Sequence, residues 1–491
     1  MTLDLRSLAA FRIAIGAVVC ADALLRTRDF GLMFGTDGMF PPDVLRRHFG
    51  DGWSWSLGLL VDADWWNAAV LALEGIAGAA LALGFHTRLA TCTAWVAVVS
   101  VMRRTLPATN AGDALLACLL FWGMFLPLGA IWSVDAARRR EDGGTALRPS
   151  RLASWALLLQ VAAVYLSAGL AKLNGSWLSG DALSYALSLH DHGSHLGSHL
   201  AASTPLTRLL SWAVVATEIV GPCLLLAAPW PRIRTAVAGL FISFHAAVAA
   251  LMSVGLFAYV GMAAWLAILP GEAWEWAARL APRGWKLGEP VNAGQGPAPA
   301  NQTAADVACA AALFIGAIAF LHANTPWRER PLLAPLDAAV RLLCLEQDWS
   351  MFGDVPRQQQ WVYGRAELAD GRVVDLLRGG RPLEPVLPAG GFTSLPHHRW
   401  QKIFWELPKP TERIFSPGIA AALARDWNRR HAEEEQVRSL EIRFARLTSD
   451  PVPGTLHELL LATWPPRNAS GRGSLDRWLD ERASEADAAH K

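Results

Sequence analysis

Long apolar stretches alternate with short polar ones along most of this chain. Apolar runs fall near residues 8–25, 66–85, 88–102, 113–132, 151–173, 209–228, 235–252, 255–270 and 304–322. Roughly 20 apolar residues cross one bilayer as a helix, and inside lipid only a helix or a closed barrel satisfies its own backbone. The pattern predicts a mainly α, polytopic transmembrane bundle of about nine spans, several short enough to tilt, pair or re-enter. The first run has the length of a secretory leader. Arg12 and Asp22 interrupt it and no clear small-residue cleavage site follows, so it reads as a retained span.

The pattern changes after a Gly/Pro/Asn/Gln-rich stretch, Gly288–Gln302, and the ninth run. Beyond Pro326 charges are frequent and apolar runs shorten. Trp361–Leu368 and Arg372–Leu377 flank Ala369-Asp370-Gly371, a hairpin signal. Arg399–Leu407 and Ile419–Arg430 carry helical spacing, and Val437–Leu447 alternates like a strand. The expected organisation is a transmembrane helical domain over 1–325, a small C-terminal extramembrane α+β domain over 326–465, and a polar tail over 466–491 that reads as disordered.

Composition agrees with a membrane protein. Of 491 residues 53% are hydrophobic and 18% charged, below the roughly 25% charged of soluble domains. The lipid bilayer is therefore the expected partner. A net charge of +1 and the lack of a basic stripe give no sign of nucleic acid. Six scattered cysteines without a CxxC pair offer neither a disulfide framework nor a zinc site. The loop His190-Asp-His192-Gly-Ser-His195-Leu-Gly-Ser-His199 puts His195 and His199 at i, i+4 spacing, but its glycines and serines equally describe a solvated loop, and no metal is expected. Arg138–Arg140, Arg148, Arg151, Arg232, Arg234, Arg88, Arg279, Arg283 and Lys286 occupy loops of one parity. Placing these in the cytoplasm puts the C-terminal domain on the extracytoplasmic side of the cell membrane. Arg103, Arg104 and four arginines of the first loop run against this orientation. Trp53, Trp55, Trp65, Trp66 and Trp177 read as interfacial aromatics.

Ionisable groups inside the spans change the picture. Lys172 closes the fifth run in Tyr165-Leu-Ser-Ala-Gly-Leu-Ala-Lys172-Leu-Asn-Gly-Ser-Trp177. A cation at mid-bilayer costs roughly 2.5–3.5 kcal/mol on insertion scales. Lysine escapes by snorkelling, by pairing or by giving up its proton, and a neutral amine is a base. It reads either as a helix-end anchor or as a functional base. Arg12, Asp22, Glu74 and Glu218 are also rare residues for such positions; they read as salt-bridged packing or as a proton path, with Glu218 the preferred floor of a cavity. Asp113 and Asp135 bracket the fourth run, where Asp135 reads as a cap.

The lysine tract resembles that of the vitamin K-dependent gamma-carboxylases and their bacterial relatives, which carry the horizontally transferred transmembrane (HTTM) domain. A second tract, His245 through Ser253-Val-Gly255-Leu-Phe257-Ala-Tyr259, is similar to the family's, as are Asn110-Ala-Gly-Asp113, Trp132-Ser-Val-Asp135, Gln347-Asp-Trp349-Ser-Met351-Phe352 and Arg399-Trp400. The resemblance runs from about residue 5 to 450. It implies a catalytic set of Lys172, His245 and Asn110, with Trp177, Ser253, Phe257, Tyr259 and Glu218 near a cofactor. It further implies reduced vitamin K (menaquinol), with O2 and CO2 as co-substrates, and a polypeptide substrate. The lysine of the carboxylases starts quinol oxygenation, and the oxygenated species takes a proton from glutamate. Two departures stand out: Ala111 and Asp354 occupy positions where the family has histidine. The alternative expectation is a non-catalytic protein that holds a lipid, quinone or partner on the same scaffold.

Overall fold

The computed structural model describes residues 2–50, 53–142, 149–188, 192–227, 230–280, 302–355, 358–384, 387–388, 390–448 and 455–466. The expected tail past Pro466, the glycine-rich stretch up to Asn301, and His190 and Asp191 lie outside these residues. Each apolar run forms a helix or begins as one: α1 (Leu5–Arg26), α2 (Asp64–Leu83), α3 (Thr87–Arg104), α4 (Ala111–Gly123), α5 (Arg151–Ala171), α6 (Thr204–Ala227), α7 (Pro231–Leu251), α8 (Phe257–Leu266) and α9 (Gln302–Ala323). Among the described residues six helical stretches are long and apolar enough to cross a membrane: Leu5–Met33, Asp64–Leu83, Arg151–Ala171, Thr204–Ala227, Pro231–Leu251 and Thr303–Ala323. α4 and α8 have 13 and 10 residues, so they pack inside the bundle without the length of a full span. The run expected to continue to 132 stops as helix at Gly123, and turns follow.

Among the described residues the C-terminal region is a five-stranded antiparallel sheet with two helices, preceded by a third helix, Ala334–Leu343. Strands β1 (Gln359–Leu368), β2 (Val373–Asp375), β3 (Arg381–Pro382), β4 (Val437–Thr448) and β5 (Thr455–Trp464) lie in the order β3-β2-β1-β4-β5. The expected hairpin is β1–β2, in which Arg365 faces Asp375. α10 (His398–Glu406) and α11 (Ser416–Arg430) stand where helical spacing predicted them. One apolar cluster joins Val362, Ile403, Phe404 and Ile419 of this region to Met33, Phe40, Leu71 and Val101 of the helical region, so the two are packed together.

Residues 344–353 depart from the extramembrane character of their neighbours. Leu345 and Trp349 belong to the core of the helical bundle. Gln347 exchanges hydrogen bonds with Gln160 of α5 at 2.8 and 3.0 Å and accepts another from Trp349 Nε1 at 2.7 Å. This strap carries Gln347 into the bundle because its amide finds partners there, as buried polar groups require.

Arg103 and Arg104, which ran against the charge-derived orientation, are buried. Arg104 donates to the carbonyls of Phe40 and Phe34 at 2.8 Å, and Arg103 to those of Trp55 and Arg341. Arg104 ties down loop backbone and Arg103 ties the Trp55 loop to the helix Ala334–Leu343, so neither is a solvated loop charge of the kind that sets topology.

Candidate functional site: a chamber at the junction of the two regions

Lys172 caps the end of α5 with its side chain buried. Its Nζ lies 2.8 Å from Glu218 Oε2 on α6 and donates to the carbonyls of Met351 at 2.8 Å and Ala168 at 3.3 Å. Three acceptors match the three donors of an ammonium group. The helices come close enough because position 169 is glycine: a Cβ there would sit 2.8 Å from Ile219 and 3.0 Å from Glu218 Cβ. The next residues continue the pattern. Asn174 Nδ2 donates to Gly353 O at 2.6 Å and Trp177 Nε1 to Phe352 O at 2.8 Å, while the Trp177 ring lies 5.4 Å from Lys172 Nζ. Lys172, Trp177 and Asn174 thus hold three successive carbonyls of the strap, Met351, Phe352 and Gly353. Phe352 is held at φ 54°, a conformation few non-glycine residues adopt.

The clasped residues form one wall of a cavity of about 190 Å3. Asn110, Ala111 and Gly112 at the start of α4, Ser253, Val254 and Phe257 before and on α8, Met351 and Phe352 of the strap, His192, and His398, Gln401, Lys402 and Trp405 of α10 line it. Positions 398, 401, 402 and 405 share one helix face by their spacing. The chamber therefore forms only where the C-terminal region meets the bundle. The strap also borders a second cavity of about 540 Å3, lined by Leu166, Leu170, Phe320, Leu321, Asp348 and Ser350 among others, between α5 and α9.

Two devices bring the histidines to this place. His192 is held by backbone pairing: Ser253 N–H donates to His192 O at 2.6 Å and Ser194 N–H to Leu251 O at 2.9 Å. Its ring centroid lies 5.6 Å from those of Phe352 and Trp405. His398 rides on α10, which a buried charge cluster fixes to the bundle. Arg399 pairs with Asp22 of α1 at 2.5 Å and with Asp113 of α4 at 2.9 Å, and Arg26 pairs with the same two carboxylates at 2.8 and 3.2 Å. Two cations facing two anions leave the group balanced, the condition for burying charge at tolerable cost. Asp29 adds a bond to Trp400 Nε1 at 3.0 Å and one to His397. The His398 imidazole rests on Gly255, at φ +59°, where a Cβ would come within 2.3 Å of Nε2. His192 Nδ1 and His398 Nε2 are buried without a hydrogen-bond partner. Burial lowers both imidazoles from 6.5 to about 4, with Lys402 adding to the effect at His192 and Arg399 at His398.

The structure brings Asn110, Ser253 and Phe257 to the chamber wall and leaves the other expected site residues off its lining. Asn110 is first an N-cap: its Oδ1 accepts from Gly112 N at 2.7 Å and Asp113 N at 3.2 Å, which spends the carbonyl and leaves the amide donor. Lys172 stands behind Met351, paired with Glu218. His245 is fully buried inside the bundle, where Tyr165 Oη lies 2.6 Å from its Nε2 and Phe257 packs 5.5 Å away. Trp177 is buried in the clasp, and Tyr259 is half exposed. Of the expected catalytic set Lys172, His245 and Asn110, Asn110 alone lines this chamber. His195 and His199 lie on a short exposed helix (His195–Ala201), and among the described residues no group of three or more metal-binding side chains forms. Asp135 accepts from His86 N at 2.9 Å and Thr87 N at 2.7 Å, capping α3.

A family model for the HTTM domain matches residues 1–274, more than half of the chain. The chain belongs to the HTTM family. Comparison with curated proteins and with solved structures gives no match. The HTTM match ends after α8, so it covers the lysine clasp, Asn110, His192 and the Ser253–Phe257 wall, whereas the strap and α10 lie beyond it. An HTTM bundle thus supplies half of the chamber, and the C-terminal region of this chain supplies the other half.

Proposed function

We propose that this HTTM-family membrane protein holds the ring of a reduced prenylated quinone, of the vitamin K or menaquinol type, in the junctional chamber. Its oxygenation, with O2 and CO2 as co-substrates, would drive carboxylation or a related modification of a polypeptide at the extracytoplasmic face. The carrying observation is the chamber itself: flat aromatic walls from Phe257, Phe352 and Trp405 around a few polar groups, the composition of a small-molecule site. Its volume of about 190 Å3 falls below the roughly 300–1,000 Å3 of pockets that enclose a whole drug-sized ligand. A ring fits, and a prenyl tail must lie elsewhere.

The residues suit such a group. Imidazole nitrogens and the Ser253 hydroxyl can accept from ring hydroxyls, and the Asn110 amide can donate. A bound quinol supplies the reducing power and strongly basic oxygen chemistry that side chains lack. The chain's own part is to grip the ring between aromatic faces, to exclude water, and to receive protons. Lys172 serves at one remove, keeping Met351 and Phe352 in the wall.

A second reading, a holder of lipid, quinone or partner protein without catalysis, draws support from the saturated Lys172 amine and from Ala111 at the family's histidine position. Extraction of the purified protein, followed by an assay with reduced vitamin K, O2, labelled bicarbonate and glutamate peptides, separates the two. Bound menaquinone with label incorporation supports the enzyme. Bound menaquinone without turnover supports the holder, and the absence of both overturns the quinone reading.

A further inference from the structure

We infer that His192 and His398 are the proton acceptors of the chamber, and that the C-terminal region completes the site by delivering His398. The inference rests on the quinol reading above and names the groups that would serve it. Three observations converge. Both rings line the same cavity, one from the loop after α5 and one from α10. Each keeps a buried nitrogen with no hydrogen-bond partner, an arrangement that costs stability and persists where a ligand or proton is to be met. Position 111, on the same wall, is alanine, so no imidazole comes from the start of α4.

The step balances simply. A ring hydroxyl gives its proton to an imidazole nitrogen; the O–H bond breaks, the N–H bond forms, and the electron pair stays on oxygen. Neutral imidazole is the form that accepts; burial keeps both rings neutral at physiological pH and also weakens them as bases, so the transfer relies on their position against the ring hydroxyl. The charged groups facing them are Lys402 for His192, and Arg399, His397, Asp113 and Asp22 for His398. Lys402 is engaged by Glu406 at 2.5 Å, so the cation on the chamber wall is already balanced. Gly255 is the second structural requirement, since any side chain there would push the His398 ring away.

The test uses the full chain in detergent with a short-chain menaquinol and oxygen, following quinol oxidation across pH. His398→Gln and His192→Gln are each expected to lower kcat by about 100-fold or more, the range of general-base catalysis, and His398→Gln also to raise KM by about tenfold, because its ring holds the hydroxyl it deprotonates. The acid limb of the wild-type pH profile is expected to weaken in each single variant and to disappear when both histidines are replaced. Gly255→Ala, which displaces the ring without removing it, is expected to give an intermediate loss; it and His192→Gln carry the test should His398→Gln fail to fold. Wild-type turnover with folded His variants that match it in rate and pH profile would overturn the inference while leaving the quinol reading in place. Wild-type protein that neither binds nor oxidises the quinol would overturn both.

Discussion

The clasp around Lys172 and the chamber beside it share a wall but treat polar groups in opposite ways. In the clasp every donor of the lysine meets an acceptor, and Asn174 and Trp177 spend their side chains on strap carbonyls. In the chamber two imidazoles keep buried nitrogens unpaired. A costly residue at membrane depth draws the eye to the lysine, yet its cost has already been met by Glu218. A buried group without a partner points to a ligand where it also lines a cavity, as His192 and His398 do, and not by its rarity alone.

The largest expected effect comes from opening the clasp. Lys172→Ala leaves Glu218 buried and alone, a loss of about 3–5 kcal/mol by the usual cost of breaking a buried pair. Lys172→Met combined with Glu218→Leu removes both charges and is expected to recover most of that loss. Thermal unfolding in detergent reads both, and a double variant as unstable as the single would contradict the pairing. Gly255→Ala comes next: a left-handed conformation costs an ordinary residue about 1–2 kcal/mol, and the displaced His398 ring adds to it.

A smaller effect follows pH. His192 and His398 sit near 4 when folded against 6.5 when exposed. The unfolded chain binds more protons between those values, so stability rises with pH. Their contribution is complete above about pH 6.5 and is lost as pH falls toward 4. The wild-type Tm is expected to drop between neutral pH and about pH 5, and His192→Gln with His398→Gln to flatten that slope. Smallest of all is Tyr259→Ala: the side chain is half exposed and off the chamber, so a change within about 0.5 kcal/mol is expected in the same unfolding assay.

Much of the fold was legible because lipid and pleat impose simple periods. Nine apolar runs, the Asp370-Gly371 hairpin and the two C-terminal helices follow from that alone. β5 was missed, since Thr455–Trp464 mixes polar and apolar residues without clean alternation. The strap's tract, Gln347–Phe352, was found as a motif but placed with the extramembrane domain, because only partners from distant helices make Gln347 a core residue. Asn110, Ser253 and Phe257 were found because they lie in motifs near span ends. His398 gave one usable signal, its place on a helix face with 401, 402 and 405, but sequence spacing does not say what that face meets. That Lys172 and His245 stay off the chamber lining was invisible for the same reason: helix packing decides which buried residue faces a cavity.

Binding of a short-chain menaquinol, measured by quenching of tryptophan fluorescence, tests the division between clasp and chamber most directly. The account predicts that Lys172→Met with Glu218→Leu binds within about threefold of wild type, while His398→Gln weakens binding by about tenfold or more, roughly 1.4 kcal/mol. Loss of binding in the folded clasp variant, with affinity intact in His398→Gln, would contradict it and return the lysine to the centre of the site.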